Sequence, residues 1–316
     1  MPREFMKALF LTVRVLTLIL SLELLVYSLI IVPGIKVWGA TEAEQIMMMA
    51  GDSDQRVIMS TRAINISAPK ELVWRWLMQL GADRGGFFSY SQVEQALGYQ
   101  TSYPDLTEPK FSDFVRGDTV RGSNDESLSV IPYNFDVLYI APESTFVLDN
   151  WGTFLLARVD ENRTRLVIRT QEPKSTTLIG LFKQHLALPF HFIMERRLLY
   201  GIKIQAEGVN ELGFSQKRDL FWMGGLIVSW GLIFILMLLL NRVMMRILVP
   251  SVLGVLWLSV VFLMPPLPLY SLALSAILGL VFITHVSWNK KQAVRPSPQI
   301  SQYKMLGKVD NMDDGV

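Results

Sequence analysis

Hydrophobic and polar positions follow three different rhythms along this chain, and the changes of rhythm divide it. From Ala8 to Val32 the run ALFLTVRVLTLILSLELLVYSLIIV is apolar all round a helix. As a helix rising ~1.5 Å per residue it is long enough to cross a ~30 Å hydrocarbon core. Leu220 to Leu240, Ile247 to Met264 and Leu267 to Trp288 repeat the pattern, separated by Asn241-Arg242 with Arg246 and by Pro265-Pro266-Leu267-Pro268. The order predicted is one membrane-crossing helix, a long polar insert, then three more. Arg14 and Glu23 interrupt the first span. Arg14 is close enough to one end to snorkel, whereas Glu23 is deeper and either faces other helices, is protonated, or serves as an intramembrane acid. Trp38-Gly39-Ala40 would suit signal cleavage, but the apolar stretch is longer than a signal peptide needs, so the segment reads as an anchor.

Inside the insert the period drops to two. Val57 to Ile66 (VIMSTRAINI) alternates and is rich in β-branched residues, which places Ile58, Ser60, Arg62, Ile64 and Ile66 on one face of a strand. Pro69 at a first helical position and Gly81 past the end frame a helix with Val73, Trp76, Leu77 and Leu80 on its buried face. Arg84-Gly85-Gly86-Phe87-Phe88-Ser89-Tyr90 makes a turn, and Ser91 to Leu97 a short helix closed by Gly98. Six short strands follow: Asp118 to Arg121, Ser127 to Ile131, Val137 to Ile140, Thr145 to Leu148, Thr153 to Val159 and Arg163 to Thr170, with Asp160-Glu161-Asn162 as a hairpin loop. The last has an apolar face (Thr164, Leu166, Ile168) and a basic face (Arg163, Arg165, Val167, Arg169) expected to be solvated, so the sheet should bury one side only. A long helix from Thr177 to Val209 would cover it with Leu181, Leu188, Phe192, Leu199, Ile202, Ala206 and Val209, kinked at Pro189. The fold class is therefore α+β: an antiparallel sheet wrapped on a long C-terminal helix with a space between them, the helix-grip arrangement. The divisions are residues 1–40 as anchor, 41–214 as the soluble domain, 215–290 as three membrane helices, and 291–316 as a polar, disordered cytoplasmic tail.

Charge predicts an orientation, although Lys36, Lys217 and Arg218 on the other side weaken the asymmetry, and it excludes some functions. Arg3 and Lys7, Arg242 and Arg246, and Lys290, Lys291 and Arg295 flank the spans on one side, which places both termini in the cytoplasm and the soluble domain on the exported side of a multi-pass protein, with the plasma or cytoplasmic membrane the expected location. Over 316 residues, 30 basic side chains oppose 28 acidic ones, and 51% of the chain is hydrophobic against 18% charged, so nucleic acid is not an expected partner. The absence of Cys excludes thiolate chemistry and Cys-ligated metals, and three His leave little for a His-rich metal site.

Several stretches of the insert match one another's expected context in a known group. They are Thr61-Arg62-Ala63-Ile64-Asn65-Ile66 with Ala68-Pro69, Val73-Trp74-Arg75-Trp76-Leu77, Gln79-Leu80-Gly81 with Arg84 to Tyr90, Arg116-Gly117-Asp118-Thr119-Val120, and His191 to Arg197 with Gly201-Ile202-Lys203. In these the insert resembles the START-like or Bet v 1-like superfamily and, within it, the SRPBCC or polyketide cyclase/dehydrase-like group. The resemblance covers about half the chain and none of the spans. It implies the helix-grip fold; for activity it spans lipid transfer, metabolite binding and cyclases.

Candidate site residues come from both readings. Arg62 points under the long helix, where it binds an anionic head group or carboxylate, sits at an open rim, or pairs with an internal carboxylate. Arg84 clamps a ligand or holds its own loop through Asp83 or Glu94. Phe87, Phe88 and Tyr90 ring a pocket mouth or pack the second helix. His185 and Phe192 fall on the apolar stripe of the long helix, with Glu195 ten residues after His185, and His185, His191, Glu195 and Tyr90 are the available acid/base groups. His191 and Glu195 are too few to hold a metal. Arg196-Arg197 and Lys217-Arg218 read as a solvated face near lipid head groups. The chain carries no G-x-S-x-G, H-E-x-x-H, G-x-G-x-x-G or phosphate loop, and no cofactor is expected. The function expected is binding of a hydrophobic small molecule such as a lipid between sheet and helix, without covalent chemistry. The alternatives are a cyclase or dehydratase acting on a polyketide or isoprenoid, and a membrane-tethered protein-interaction module.

Overall fold

The computed structural model describes residues 3–96, 109–123, 134–240 and 242–294. Helix α1 (Arg3–Val26) passes through one π-helical turn, Tyr27–Ile31, into α2 (Val32–Lys36). The chain then crosses the sheet face in α3 (Glu42–Ile46), whose start is fixed by a capping box between Thr41 and Glu44. Next come β1 (Arg56–Ile66), α4 (Lys70–Leu77) and α5 (Ser91–Ala96). Strands β2 (Thr119–Arg121), β3 (Asn134–Ala141), β4 (Thr145–Leu148), β5 (Gly152–Asp160) and β6 (Arg163–Pro173) lead to α6 (Leu178–Glu207). The last three helices are α7 (Gln216–Leu239), α8 (Val243–Phe262) and α9 (Pro268–Val294). Among the described residues four helices are long and apolar enough to cross a membrane: Phe5–Lys36, Gln216–Leu239, Val243–Phe262 and Pro268–Ser287.

The six strands form one antiparallel sheet in the order β1-β6-β5-β4-β3-β2. Placing β1 beside β6 leaves β1 with a free edge, and the chain arriving from α2 caps it: Ala63 donates its amide to the Trp38 carbonyl at 3.0 Å. Gly39, at φ +72°, makes the close approach possible, because a Cβ there would collide with the Ala63 carbonyl. On the inner face Ile66, Phe146, Phe154, Leu166 and Ile168 pack with Val73, Trp74, Trp76 and Leu77 of α4 and with Leu198, Leu199, Ile202 and Ala206 of α6 in one apolar cluster. α6 begins at Thr177, whose hydroxyl accepts from Gly180, and ends at Gly208 in the left-handed conformation.

Several expectations are corrected by the packing. Most of the basic face of β6 is not solvated, because the segment through α3 lies across Arg165 and Arg169, while Arg163 at the strand's start stays exposed. Arg169 is 1% exposed and donates to the carbonyls of Glu44, Gln45 and Met47 and to Asp52 at 2.6 Å. Arg165 grips both oxygens of Glu44 at 2.7 and 2.8 Å, which holds that carboxyl below its ordinary range. The sheet is thus covered on both faces at β6, whereas Tyr139 of β3 and Val159 of β5 stay exposed. Ile58 leaves the face of Ser60 and Arg62 because the register shifts between Ile58 and Ser60, and it is exposed. Pro69 is the N-cap of α4, not its first residue, and Leu80 is buried beyond the helix end. Val209 follows the Gly208 cap and is exposed instead of completing the α6 stripe. Pro189 lies inside α6, and α9 passes the boundary drawn at residue 290. Gly98, the expected strand Ser127–Ile131 and the tail beyond Val294 lie outside the described residues, as does the side chain of Leu181.

The helical bundle is built on small residues. α7 packs against α8 and α9, and α1 against α8. Ser275 of α9 donates to the Gly225 carbonyl of α7 at 2.7 Å, and Gly225 itself lies against Ser271. The C-terminal end of the first span, the N-terminal end of α7 and the C-terminal end of α8 meet α6 together: Ile31, Ile35, Trp222, Leu226, Val260, Val261 and Phe262 share a cluster with Leu188 and Phe192.

Candidate functional site

Three consecutive charges on α6, Glu195, Arg196 and Arg197, fan out to three different neighbours, because successive helical residues turn by ~100°. Glu195 faces the sheet. There the alternation of β1 delivers Arg62, which is 0% exposed. Its Nη1 donates to Glu195 Oε1 at 2.8 Å and lies 3.2 Å from His191 Nδ1, while its Nε donates to the Ile35 carbonyl at 2.8 Å. Thr170 donates to the other Glu195 oxygen at 3.0 Å. One side chain therefore joins sheet, long helix and first span. The Nδ1 contact with a guanidinium donor assigns His191 the Nε2–H tautomer, and that nitrogen lies 3.5 Å from Glu195 Oε2. Burial lowers the imidazole's proton affinity; Glu195 raises it and Arg62 lowers it further. The His191 side chain is still 35% exposed, so the cluster has one open edge.

Arg196 faces α8. Its guanidinium donates to the carbonyls of Val261 at 2.9 Å, Phe262 at 3.1 Å and Met264 at 3.0 Å, capping the negative end of that helix. No carboxylate among the described residues pairs with it. Arg197 faces α7, pairing with Asp219 at 3.3 Å and donating to the Phe88 carbonyl at 3.3 Å. The expectation of a solvated Arg196-Arg197 doublet is therefore wrong: these residues are 1% and 8% exposed, because α6 is clamped between sheet and spans. Lys217 and Arg218 are exposed, as expected.

The junction also holds hydrogen-bond donors that nothing uses. Arg62 Nη2, Arg196 Nε, the Tyr27 and Tyr90 hydroxyls and Trp222 Nε1 are buried without a partner among the described residues. They surround a shared aromatic floor. Arg62 and Arg196 sit 5.1 and 4.8 Å from the Phe192 ring, Phe192 and Tyr27 both contact Phe262, and Tyr90 stacks on Trp222 at 5.5 Å. Burial pushes the Tyr90 hydroxyl far above its ordinary range, so it stays a neutral donor. On the outer side of the bundle Tyr27 also lines a groove of about 340 Å³, together with Leu20, Glu23, Leu24 and Leu258.

Of the seven expected site residues, the structure brings Arg62, Tyr90 and Phe192 to this junction. Phe87 and Phe88 pack inside the sheet domain, against Trp151 and Trp76, although the Phe88 carbonyl reaches Arg197. Arg84 holds its own loop, through the carbonyls of Met78 and Ser112 and the faces of Phe111 and Phe114, with Asp83 among the acids that favour its charge. His185 lies on an exposed position of α6, off the buried stripe. Asp219 and Trp222 were missed. Both read as the start of a span, and only the i, i+3 pairing of a buried acid with a stacked ring would have marked them. Comparison with known proteins adds no family: no family model matches the chain, and no curated protein matches it. Among the described residues no group of three or more His, Asp or Glu could hold a metal ion.

Proposed function

We propose that this chain is an integral membrane protein that binds an amphiphile with an acidic head group, a lipid phosphate or carboxylate, where its sheet domain rests on its own membrane helices. The observation that carries the reading is the set of unspent buried donors around Arg62 and Arg196, with Tyr27 both among those donors and in the lining of the groove. Leaving a buried donor unsatisfied costs about 1–3 kcal/mol, and an anionic acceptor satisfies several at once. Arg196, offset only by the carbonyl end of α8, is the natural counter-charge. The groove, apolar along Leu20, Leu24 and Leu258, would take the chain of the same molecule.

The fold we propose for residues 41–214 is a START-like helix grip, supported by a single antiparallel sheet with β1 beside β6 and a long C-terminal helix on its inner face. In that frame the ligand sits outside the sheet-to-helix interior, where Trp74, Trp76, Phe146 and Phe154 pack. Cyclase chemistry is less well served, since both oxygens of Glu195 are occupied by Arg62 and Thr170. Both termini are assigned to the cytoplasmic side from the basic flanks, with the sheet domain exported.

The test is identification of lipid retained by the full chain purified in mild detergent from a membrane of mixed composition. A stoichiometric acidic lipid, lost in Arg196→Gln, is expected. Retained lipid that mirrors the bulk membrane in both proteins would refute the reading.

A further inference from the structure

Helix α6 changes character half-way along. Positions 178, 182, 186, 190, 193, 197 and 200 follow at four- and three-residue steps and so form one stripe of the helix. The C-terminal half of the stripe is docked on the membrane bundle: Ile193 packs into the junction cluster, Arg197 pairs with Asp219, and the Tyr200 ring lies 5.3 Å from Phe214. Its N-terminal half is bare. Leu178 is 85% exposed, Phe182 64%, Leu186 53% and Phe190 71%, with Ile179 beside them at 71%. The other side of the same turns is what holds the helix, through Gln184 donating to the Pro173 carbonyl and Leu188 buried against the span ends.

We propose that the N-terminal half of α6, residues 178–190, is an in-plane membrane-surface helix whose partner is the lipid bilayer. Four consecutive turns carry large apolar groups on one side over ~18 Å, more than isolated exposed residues would explain. Their stripe continues without a break into the surface that rests on the ends of three apolar helices, which brings its C-terminal end to the level where those helices, read as spans, leave the hydrocarbon. Amphipathic helices at that depth bury such a face at the boundary of head groups and acyl chains. The inference rests on the reading of the four apolar helices as spans but not on the identity of any bound lipid.

The chain has no cysteine, so single Cys variants can be spin-labelled without background. Phe182→Cys and Leu186→Cys, full-length and reconstituted in vesicles of phosphatidylcholine and phosphatidylglycerol, would be read by power saturation against oxygen and a water-soluble nickel complex. Leu238→Cys on α7 and Glu161→Cys in the β5–β6 hairpin are the lipid and water references. Labels at 182 and 186 are expected to follow Leu238, with oxygen access several-fold above nickel access. Nickel access equal to that at Glu161 while Leu238 reads lipid would overturn the surface helix alone. Exclusion of both reagents would also overturn it, in favour of a protein partner or second copy. A water reading at Leu238 would instead remove the spans, and the proposal with them.

Discussion

Arg62 ties three parts of the molecule together, and its energetics are those of a buried pair. Arg62→Met leaves the Glu195 carboxylate buried without its cation, a loss of about 3–5 kcal/mol. Replacing both partners, Arg62→Met with Glu195→Leu, removes that penalty, so the double variant should unfold closer to the parent than either single one; a double-mutant cycle by chemical denaturation in detergent reads the coupling. His191 sets a pH dependence at the same place. Its folded value lies below the ordinary imidazole value of about 6.5, so as pH falls through that value the unfolded chain takes up the proton first and the folded state loses stability. Thermal unfolding should therefore fall between about pH 7 and pH 5, and His191→Asn should flatten that slope. The inward direction of Arg62 was legible from strand alternation, since it shares a face with Ile64 and Ile66. Its partner was not, because Glu195 stands 133 residues further on and only tertiary packing brings the two together. The Arg196-Arg197 doublet misled for the complementary reason. Adjacent charges on a helix normally mark its wet face, and nothing local shows that the end of another helix will supply carbonyls.

At the scale of elements, the approach of α6 to the Arg84–Tyr90 turn depends on one missing side chain. A Cβ at Gly201 would collide with the Phe88 carbonyl, and Phe88 is itself held at φ +52°. Gly201→Val should force helix and turn apart, weaken the Arg197 contact with Phe88 and speed amide exchange through residues 87–91 under native conditions. In the bundle Glu23 folds its carboxyl against Gly254 of α8, so this acid meets another helix while also lining the groove beside Tyr27. Element identities were largely readable. Spans, the Asp160–Asn162 hairpin and the long C-terminal helix each carry a clean period or punctuation. What was not readable is coverage: α3 is too short to show a period, so nothing in the sequence placed it across Arg165 and Arg169, and the basic strand face was taken for a solvated one.

For the whole molecule, the sheet domain and the membrane helices are one packed body, not a domain on a leash. Trp38 contacts Phe192 and Tyr200, and a single cluster runs from Ile31 to Leu278 through Tyr90 and Phe192. The boundaries at residues 40 and 214 thus cut through buried contacts. The same continuity brings the unspent donors beside the ends of the apolar helices, where the proposed acidic lipid would meet them. The most direct test of that claim is photo-cross-linking from within the junction, with p-benzoylphenylalanine in place of Tyr27 in the full chain, embedded in vesicles containing equal amounts of acidic and zwitterionic phospholipid. The account predicts lipid adducts enriched several-fold in the acidic species, and loss of that enrichment in Arg196→Gln. Adducts in the bulk lipid ratio, unchanged by the substitution, would contradict it.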